Sequence, residues 1–407
     1  MSSTLRSYED VRDALIALAR PVVETEVLPT AEALGRVLAD AVVSPLEVPP
    51  LDNSYMDGYA VRIADLPAPG TRLPVSQRIP AGSVGSSLQP GTAARIFTGA
   101  PIPAGADAVV MQEFCSPDGD GVVIDHLPRP GEWIRRAGED IARGQTILHA
   151  GDRLTPQRLG LAASVGAAHL TVRRRLRVAL FSTGDELVMP GEALPPGAIY
   201  NSNRFTLRGL LEGLGCQVDD RGIVPDRLDA TRAALRGAAE VSDLILTSGG
   251  VSTGEEDHIK PAVQAEGRLD SWQVAMKPGK PVAFGHVNGA AGTAGAAFIG
   301  LPGNPVSSFV TFLVLVRPFI LRAQGVREVL PRALPLTAAF DLPRPDRRRE
   351  FLRARLGADG RVEIHPNQGP AVFTSTVWAE GLVDNPPGHV VQAGDRVHYI
   401  PYSELLS

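Results

Sequence analysis

Apolar runs of strand length alternate with amphipathic helical patterns in residues 177–325. Strands rich in Val, Ile and Leu that alternate with helices are typical of a mainly parallel, doubly wound sheet. We therefore predict an α/β domain here. The predicted strands are 177–181, 216–224, 243–248, 272–276, 281–285 and 297–300, and the predicted helices are 202–214, 228–240, one from about 257, and 305–324.

The chain before this region has a different pattern. Residues 8–40 predict helix–loop–helix, with Ser7 and Asp10 at the spacing of a capping box. From about 45 to 150 the apolar segments become short and strand-like, and a helix is predicted from Thr155, as cap, and Pro156. We expect this helix to pack on the N-terminal helices, so the β-rich part is predicted to be an insertion into a helical domain.

The residues from about 327 onward predict strands only, including a hairpin over 354–364. The predicted fold is thus multidomain α/β plus β: a doubly wound α/β domain, a helical domain with a β-rich insertion, and a C-terminal β-barrel-like domain. The predicted boundaries are 1–44 with 145–176 for the helical domain, 45–144 for the insertion, 177–326 for the α/β domain and 327–407 for the last.

Composition limits the class of protein. The 407 residues are enough for several domains, and a net charge of −5 argues against binding nucleic acid. Two cysteines, Cys115 and Cys216, give neither a disulfide framework nor a metal spacing. The apolar run 306–316 is too short to cross a bilayer, and the N-terminus has no apolar signal region. These features predict a cytoplasmic protein without membrane contact.

Lysine is rare, and its positions suggest a site. Of 40 basic residues only Lys260, Lys277 and Lys280 are lysines, and all lie in one short stretch. A compact ammonium suits a small tetrahedral oxyanion such as phosphate. The alternative is that Arg-rich coding left these three lysines by chance.

Two loops at predicted strand ends share a composition of small hydroxyl residues, glycines and acids. They are 182–186 and 248–257. Such loops let backbone N–H groups surround an anion at the carboxyl edge of a doubly wound sheet, where ligands bind. Ordinary strand-to-helix turns, which also need Gly and Ser, are the alternative.

Carboxylates next to an anion site imply a cation between them. Glu186, Asp226 and Asp257 each follow a predicted strand end and could hold Mg²⁺ together with ligand phosphates. The alternative is that these acids cap helices. We favour capping for Asp185 and Glu255, and we consider capping and metal binding equally for Asp226. The histidines show no metal-binding pair, and no Ser-His-Asp or Gly-x-Ser-x-Gly pattern indicates a hydrolase.

Five motifs occur in an order that resembles a known family: 52–60, 182–186, 248–252, 277–281 and 301–305. Together they are similar to the molybdopterin molybdenumtransferases, the MoeA family that includes the C-terminal domain of gephyrin. The resemblance covers nearly the whole chain. It implies an elongated four-domain subunit and a homodimer, in which the α/β domain of one subunit meets the β-rich insertion of the other across the active cleft.

The reaction that the resemblance implies is Mg²⁺-dependent insertion of molybdate into adenylylated molybdopterin, which yields molybdenum cofactor and AMP. A molybdopterin adenylyltransferase would then be the upstream partner. The dithiolene sulfurs belong to the substrate, so no protein cysteine is needed.

Hypothetical roles follow for residues that match the family's motifs. The backbone and hydroxyls of the loop with Ser248, Gly249, Gly250 and Ser252 would cradle phosphate, and Ser182 would also bind the substrate. Molybdate would be attracted by Lys277, Lys280 and Arg353, beside a wall that contains Pro281 and Pro302. Catalytic carboxylates would be Glu186, Asp226 and Asp257, as Mg²⁺ ligands or contacts to the pterin, with Asp57, Thr98 and Asp140 reaching in from the partner subunit.

One position departs from the family's pattern. A serine usually follows the Gln-Gly pair of the last domain, but here Gln368-Gly369 is followed by Pro370. Thr374 or Ser375 could take its place if the loop folds back, and another oxyanion such as tungstate could be preferred. Two other functions stay open: the preceding adenylylation of molybdopterin, and a non-catalytic scaffold.

Overall fold

The computed structural model describes residues 5–251, 258–290 and 294–406. The chain begins with helix α1 (Tyr8–Leu18). Ser7 caps this helix, because its Oγ accepts the N–H of Asp10 at 3.0 Å. The predicted start of the helix is therefore confirmed.

The second helix predicted within residues 8–40 is wrong. Strand β1 (Thr25–Pro29) follows α1, and a short 3₁₀ turn, Thr30–Glu32, comes before β2 (Val42–Val43). Thr25 and Val27 are β-branched and Pro29 cannot continue a helix, which together favour an extended chain.

The inserted part of the chain contains a six-stranded sheet with the order β7-β4-β6-β5-β9-β8. Two layers of apolar side chains, around Tyr59 and around Ile96, form its core. The strands are β3 (Asn53–Ser54), β4 (Gly58–Val61), β5 (Thr71–Ile79), β6 (Ala93–Ile96), β7 (Ala108–Met111), β8 (Cys115–Asp118), β9 (Gly121–Ile124) and β10 (Ile134–Arg135).

The chain then returns to the N-terminal segment through β11 (Thr146–Leu148), α2 (Pro156–Ser164) and β12 (His169–Arg173). Helix α2 starts where the sequence predicts, with the Thr155 side chain as cap. Strand β12 pairs antiparallel with β1, and β11 pairs with β2. The packing predicted for α2 is found only in part: α2 lies against β11 and the 3₁₀ turn of the N-terminal segment, whereas Tyr8, Val11 and Leu15 of α1 pack into the α/β core.

The α/β part is built on a six-stranded sheet with the order β16-β13-β17-β21-β20-β18. Neighbours from β16 to β21 run parallel, and β20 and β18 add an antiparallel edge. Its elements are β13 (Arg177–Thr183), β14 (Leu187–Val188), β15 (Ile199–Tyr200), α3 (Ser202–Gly213), β16 (Gln217–Val224), α4 (Leu228–Ala239), β17 (Leu244–Ser248), α5 (Ile259–Glu266), β18 (Gly267–Gln273), β19 (Met276–Lys277), β20 (Pro281–Val287) and β21 (Ala296–Leu301).

A long apolar helix follows β21. It consists of α6 (Pro305–Thr311), a π-helical turn (Phe312–Val316) and α7 (Arg317–Ala323). Its length and composition would suffice to cross a membrane, but 94% of the most apolar stretch is buried inside the protein. The apolar character is thus accounted for by packing, since this helix contributes much of the α/β core.

The C-terminal part forms a curved sheet with the order β19-β23-β25-β26-β22, with β24 paired to β23. Ala338, directly after β22, bridges to Val362 of β24, so the sheet curls around a core that includes Leu352, Val383 and Tyr399. Its elements are β22 (Leu334–Thr337), β23 (Arg349–Leu356), β24 (Val362–Ile364), α8 (Thr374–Trp378), β25 (Gly381–Asn385), β26 (Arg396–Pro401) and α9 (Tyr402–Leu405).

Candidate active site

A cleft of about 620 Å³ lies at the carboxyl ends of the parallel strands. The loops after β13, β17 and β21 form one side, and the lysine loop between β19 and β20 forms another. This is the edge at which doubly wound sheets bind ligands. Its lining residues are Thr183, Gly184, Glu186, Asp226, Gly249, Gly250, Val251, Lys277, Pro278, Gly279, Lys280, Pro281, Pro302, Gly303, Asn304, Ser307, Arg348, Gln368 and Pro370.

Gly249 and Gly250 bring the backbone close to the neighbouring loop. Their φ angles are +87° and +66°, a conformation that costs other residues free energy. A Cβ on Gly249 would lie 2.8 Å from the Thr183 carbonyl oxygen, and one on Gly250 would lie 2.5 Å from Cγ1 of Ile259. The two glycines therefore leave backbone, not side chain, at this wall of the cleft.

The predicted serines Ser182 and Ser248 do not line the cleft. Both are buried on adjacent strands, and their Oγ atoms are 3.0 Å apart in a hydrogen bond. Each hydroxyl bonds to the other beneath the loops, and the contact of these serines with substrate stays a prediction. Thr183, one residue further along, lines the cleft instead. Ser252 and Asp257 lie outside the described residues.

Lys277 and Lys280 both line the cleft, as the sequence predicts. Lys280 is exposed and makes no ion pair within the described parts of the chain. Lys277 instead donates to Oε1 of Glu350 at 3.0 Å and lies 3.6 Å from Asp346. Gly279 between them packs tightly on α6, since a Cβ there would lie 2.2 Å from Oγ1 of Thr311.

The C-terminal sheet forms part of the site. Strand β19 pairs parallel with β23, which places Lys277 opposite Glu350. This pairing brings Arg348 to the cleft, and the loop after β24 brings Gln368 and Pro370. Arg348 is bonded to Asp346, and this contact holds the pKa of the Asp346 carboxyl far below its ordinary value.

Arg353 is not among the residues that line the cleft, and its contact with molybdate stays a prediction. It is buried, and its guanidinium donates to Ser375 Oγ at 3.1 Å and to the Gly369 carbonyl at 3.2 Å. Burial lowers the pKa of Arg353 to about 10. The side-chain amide of Gln368 accepts the backbone N–H of Arg353 and donates to the Arg353 carbonyl. Arg353 therefore holds the loop that forms the cleft wall.

The loop at Pro370 is fixed from both sides. The Pro370 carbonyl accepts the N–H of Val306 at the start of α6, at 3.2 Å. Ser375 is buried and bonded to Arg353 and to the Val372 carbonyl, and neither it nor Thr374 lines the cleft. Pro370 lines the cleft where Thr374 and Ser375 do not, so neither residue takes the place of a cleft serine in this structure.

Glu186 and Asp226 face the same cleft. The capping roles considered for Asp185 and Asp226 are not found, and Glu255 lies outside the described residues. Asp185 accepts the Asp226 N–H at 3.3 Å, and α4 begins without a side-chain cap. No cluster of three His, Cys, Asp or Glu side chains suited to a metal is present in the described residues. The two carboxylates are hard oxygen donors of the kind that Mg²⁺ takes.

The residues predicted to come from a partner subunit lie in the insertion, away from this chain's cleft. Thr98 donates two hydrogen bonds to Oδ1 of Asp57, one from its backbone N–H at 2.8 Å and one from its Oγ1 hydroxyl at 2.7 Å. Both bonds lower the pKa of Asp57, and the bond from the backbone N–H has the larger effect. Asp140 is exposed on a neighbouring loop, whose backbone bonds to Val48.

Several cleft residues are not predicted from the sequence. Thr183 and Asn304 belong to motifs that the sequence does highlight, at 182–186 and 301–305, and Ser307 follows the second motif by two residues, so all three could be inferred from their neighbours. Arg348 and Gln368 reach the cleft only through the pairing of β19 with β23. Arg348 also lies within an arginine run that resembles a solvated linker.

Comparison with known proteins defines the class first. Three family models match in order along the chain: MoeA N-terminal region (domain I and II) at residues 6–166, probable molybdopterin binding domain at 179–322, and MoeA C-terminal region (domain IV) at 335–402. A chain with this organisation is an enzyme, a transferase of molybdenum cofactor biosynthesis.

The relatives define the family. The chain is 41% identical over 392 residues to the molybdopterin molybdenumtransferase of Haemophilus influenzae, which covers 94% of this chain and 95% of the relative. It is 40% identical to molybdopterin molybdenumtransferase 2 of Mycobacterium tuberculosis, in an alignment that covers 97% of this chain and 98% of the relative. The chain belongs to the molybdopterin molybdenumtransferase (MoeA) family.

A solved structure supports the same fold. The molybdopterin biosynthesis MoeA protein of Pyrococcus horikoshii superposes with a TM-score of 0.85 at 27% identity, over 98% of this chain and 100% of that chain. The resemblance stated from the five motifs is therefore confirmed.

Proposed function

We propose that the protein inserts molybdate into adenylylated molybdopterin and releases AMP in a Mg²⁺-dependent reaction. The observation that supports this most is the composition of one cleft: the Gly249–Gly250 backbone, the ammonium groups of Lys277 and Lys280, and the carboxylates of Glu186 and Asp226. Such a cleft can hold a phosphate, a second oxyanion and a divalent cation at the same time.

Each part of the reaction has a residue suited to it. Lys280, exposed and without an ion pair in the described chain, offers its full charge to molybdate. Arg348, which is paired with Asp346 beside Lys277, adds a second, partly neutralised cation to the cleft. These cations also offset the charge that develops as the phosphoanhydride bond breaks and AMP departs. Mg²⁺ would be held by Glu186 and Asp226, with Asp257 as the predicted third ligand, and would supply positive charge to the phosphoanhydride.

A homodimer with a shared site is part of the proposal. Asp57, Thr98 and Asp140 do not reach the cleft of their own chain. Exposed apolar side chains lie near both parts of the proposed shared site. Leu51 and Tyr55 are close to Asp57 in the insertion, and Ile199, Tyr200 and Phe205 are close to the cleft. Asn203, in the same segment as these last three, donates to the carbonyl of the cleft residue Gly303 at 2.8 Å. Apolar surface of this kind commonly marks a protein interface.

The decisive experiment incubates the purified protein with adenylylated molybdopterin, Mg²⁺ and molybdate, and follows AMP. Release of AMP that depends on molybdate supports the proposal. A requirement for ATP would instead indicate that the protein performs the preceding adenylylation of molybdopterin. In the proposed pathway a separate adenylyltransferase carries out that step upstream, in the same cytoplasm. Lack of any turnover would indicate a scaffold. Replacing molybdate by tungstate in the same assay gives the preferred oxyanion.

A further inference from the structure

A buried carboxylate lies directly behind one of the two lysines of the cleft. Glu350 is only 2% exposed, on strand β23, and its Oε1 accepts from Nζ of Lys277 at 3.0 Å. Its other oxygen, Oε2, is buried and has no hydrogen-bond partner in the part of the chain that the structure describes. Within the described residues Lys277 makes the salt bridge to this carboxylate, and Lys277 also lines the cleft.

The backbone fixes this arrangement. Lys277 and Glu350 are register partners in the parallel pairing of β19 with β23, and the N–H of Arg349 donates to the Ala275 carbonyl at 2.9 Å. Backbone pairing therefore keeps the two residues side by side at the junction between the α/β sheet and the C-terminal sheet. The side chain of Lys277 is 42% exposed, so its outer side stays open to the cleft.

We propose that Glu350 is a positioning and tuning residue for the oxyanion site, which rests on the function proposed above. It holds the Lys277 ammonium at the cleft wall and partly neutralises it. An incoming dianion such as molybdate then meets an oriented but weakened charge, whereas Lys280 presents an unpaired one. Glu350 thus limits how tightly the oxyanion binds, which lets molybdate be handed on to the dithiolene of the substrate.

Two effects oppose each other when the carboxylate is removed. Loss of the contact frees the lysine side chain, which weakens binding by an entropic amount. Loss of a buried negative charge next to the cleft removes its repulsion of a dianion, and this Coulomb effect is long-ranged and poorly screened. The charge effect is the larger, so the neutral isostere should bind the oxyanion more tightly.

The test uses the full-length protein with Glu350→Gln, equilibrium dialysis of molybdate, and AMP release at varied molybdate. We expect the dissociation constant and KM for molybdate to fall at least threefold, with a lower kcat. A merely structural role would not tighten binding. The control is Glu363→Gln on β24, which makes the same chemical change in an exposed ion pair with Arg355 of the same sheet, outside the cleft, and it should leave both constants unchanged.

A second variant covers the case in which Glu350→Gln does not fold. Glu350→Asp keeps the charge but withdraws it from Lys277, so kcat should fall without tighter binding. Glu350→Gln that folds with unchanged or weaker affinity overturns the proposal, as does Glu350→Asp with wild-type affinity and kcat. If the wild-type protein itself neither binds molybdate nor releases AMP, the proposed function fails instead, which keeps the two failures distinct.

Discussion

Lys277 and Lys280 are three residues apart in one loop, yet their surroundings differ. Lys280 is exposed and contacts no carboxylate in the described chain, whereas Lys277 covers the buried Glu350. Mutation of Lys277 would leave a buried charge without its partner, and this is costly. The two lysines are therefore predicted to affect stability differently, although the sequence alone suggests equal roles for them.

We predict that Lys280→Ala raises the KM for molybdate about tenfold with little change in the free energy of unfolding. Lys277→Ala should lower that free energy by about 1–3 kcal/mol, less than for a fully buried pair because the lysine is partly exposed. Urea denaturation and AMP release measured on both variants check this. Equal stability of the two variants would contradict the role of Glu350 as a buried partner of Lys277.

Asp346 gives a prediction about pH. Its bond to Arg348 lowers the pKa of the Asp346 carboxyl in the folded protein. A depressed pKa contributes stability that is fully present above the unfolded pKa of about 4 and is lost as the pH falls through the folded value. Asp346→Asn should therefore lower the free energy of unfolding by about 1–2 kcal/mol at pH 7.

The same difference between wild type and Asp346→Asn should stay constant from pH 7 to about 5 and shrink below about pH 4. Urea denaturation at each pH measures it. Asp359→Asn is the control, because its contact with Arg361 lies in the exposed hairpin turn, away from the cleft. A difference that grows toward acid pH would mean that Asp346 is not held ionised by Arg348.

Local elements follow from local sequence where their pattern is strong. The alternation in residues 177–325 predicts most strands and helices of the α/β sheet, because each element buries its own apolar face. The strand predicted at 272–276 is wrong, because these residues are divided between β18 of this sheet and β19 of the C-terminal sheet. The pattern fails at Thr25–Pro29, whose extended form depends on pairing with His169–Arg173, distant in sequence. It also does not show that Ser182 and Ser248 are buried, since no composition tells which hydroxyl of a strand end points inward.

The loop after β17 allows a prediction at the level of an element. Gly250→Ala places a side chain at φ +66° and 2.5 Å from Cγ1 of Ile259 at the start of α5. We expect it to destabilise the protein by about 2–4 kcal/mol and to abolish AMP release. Gly160→Ala is the control: this glycine lies in α2 with nothing within 4 Å, so the change should stabilise by about 0.5–1 kcal/mol.

Thermal unfolding and AMP release of the two glycine variants test this. Helix α5 can move only at the cost of its contacts with the sheet core. A Gly250→Ala protein with wild-type stability and activity would show that the close approach of backbone to Ile259 is not required.

The site as a whole arises from contacts between parts of the chain that are far apart in sequence. Lys277 meets Glu350, and Val306 meets Pro370. The sequence identifies the loops after β13, β17 and β21, because sheet topology places parallel strand ends together. It does not show that Arg348 and Gln368 join them, or that Arg353 supports a loop, because these depend on how the C-terminal sheet docks.

The proposed homodimer gives the last prediction. If each site combines Asp57 of one subunit with Asp226 of the other, Asp57→Asn and Asp226→Asn homodimers are both inactive. A mixed dimer of the two has one site with both changes and one site with neither. Random reassociation should therefore restore about a quarter of wild-type AMP release.

As control, Glu186→Gln mixed with Asp226→Asn should restore nothing, because both carboxylates line the cleft of the same chain and every site keeps one change. Absence of rescue in the first mixture, with mixed dimers shown by native mass spectrometry, would place Asp57 outside the site and leave this cleft to act within a single subunit.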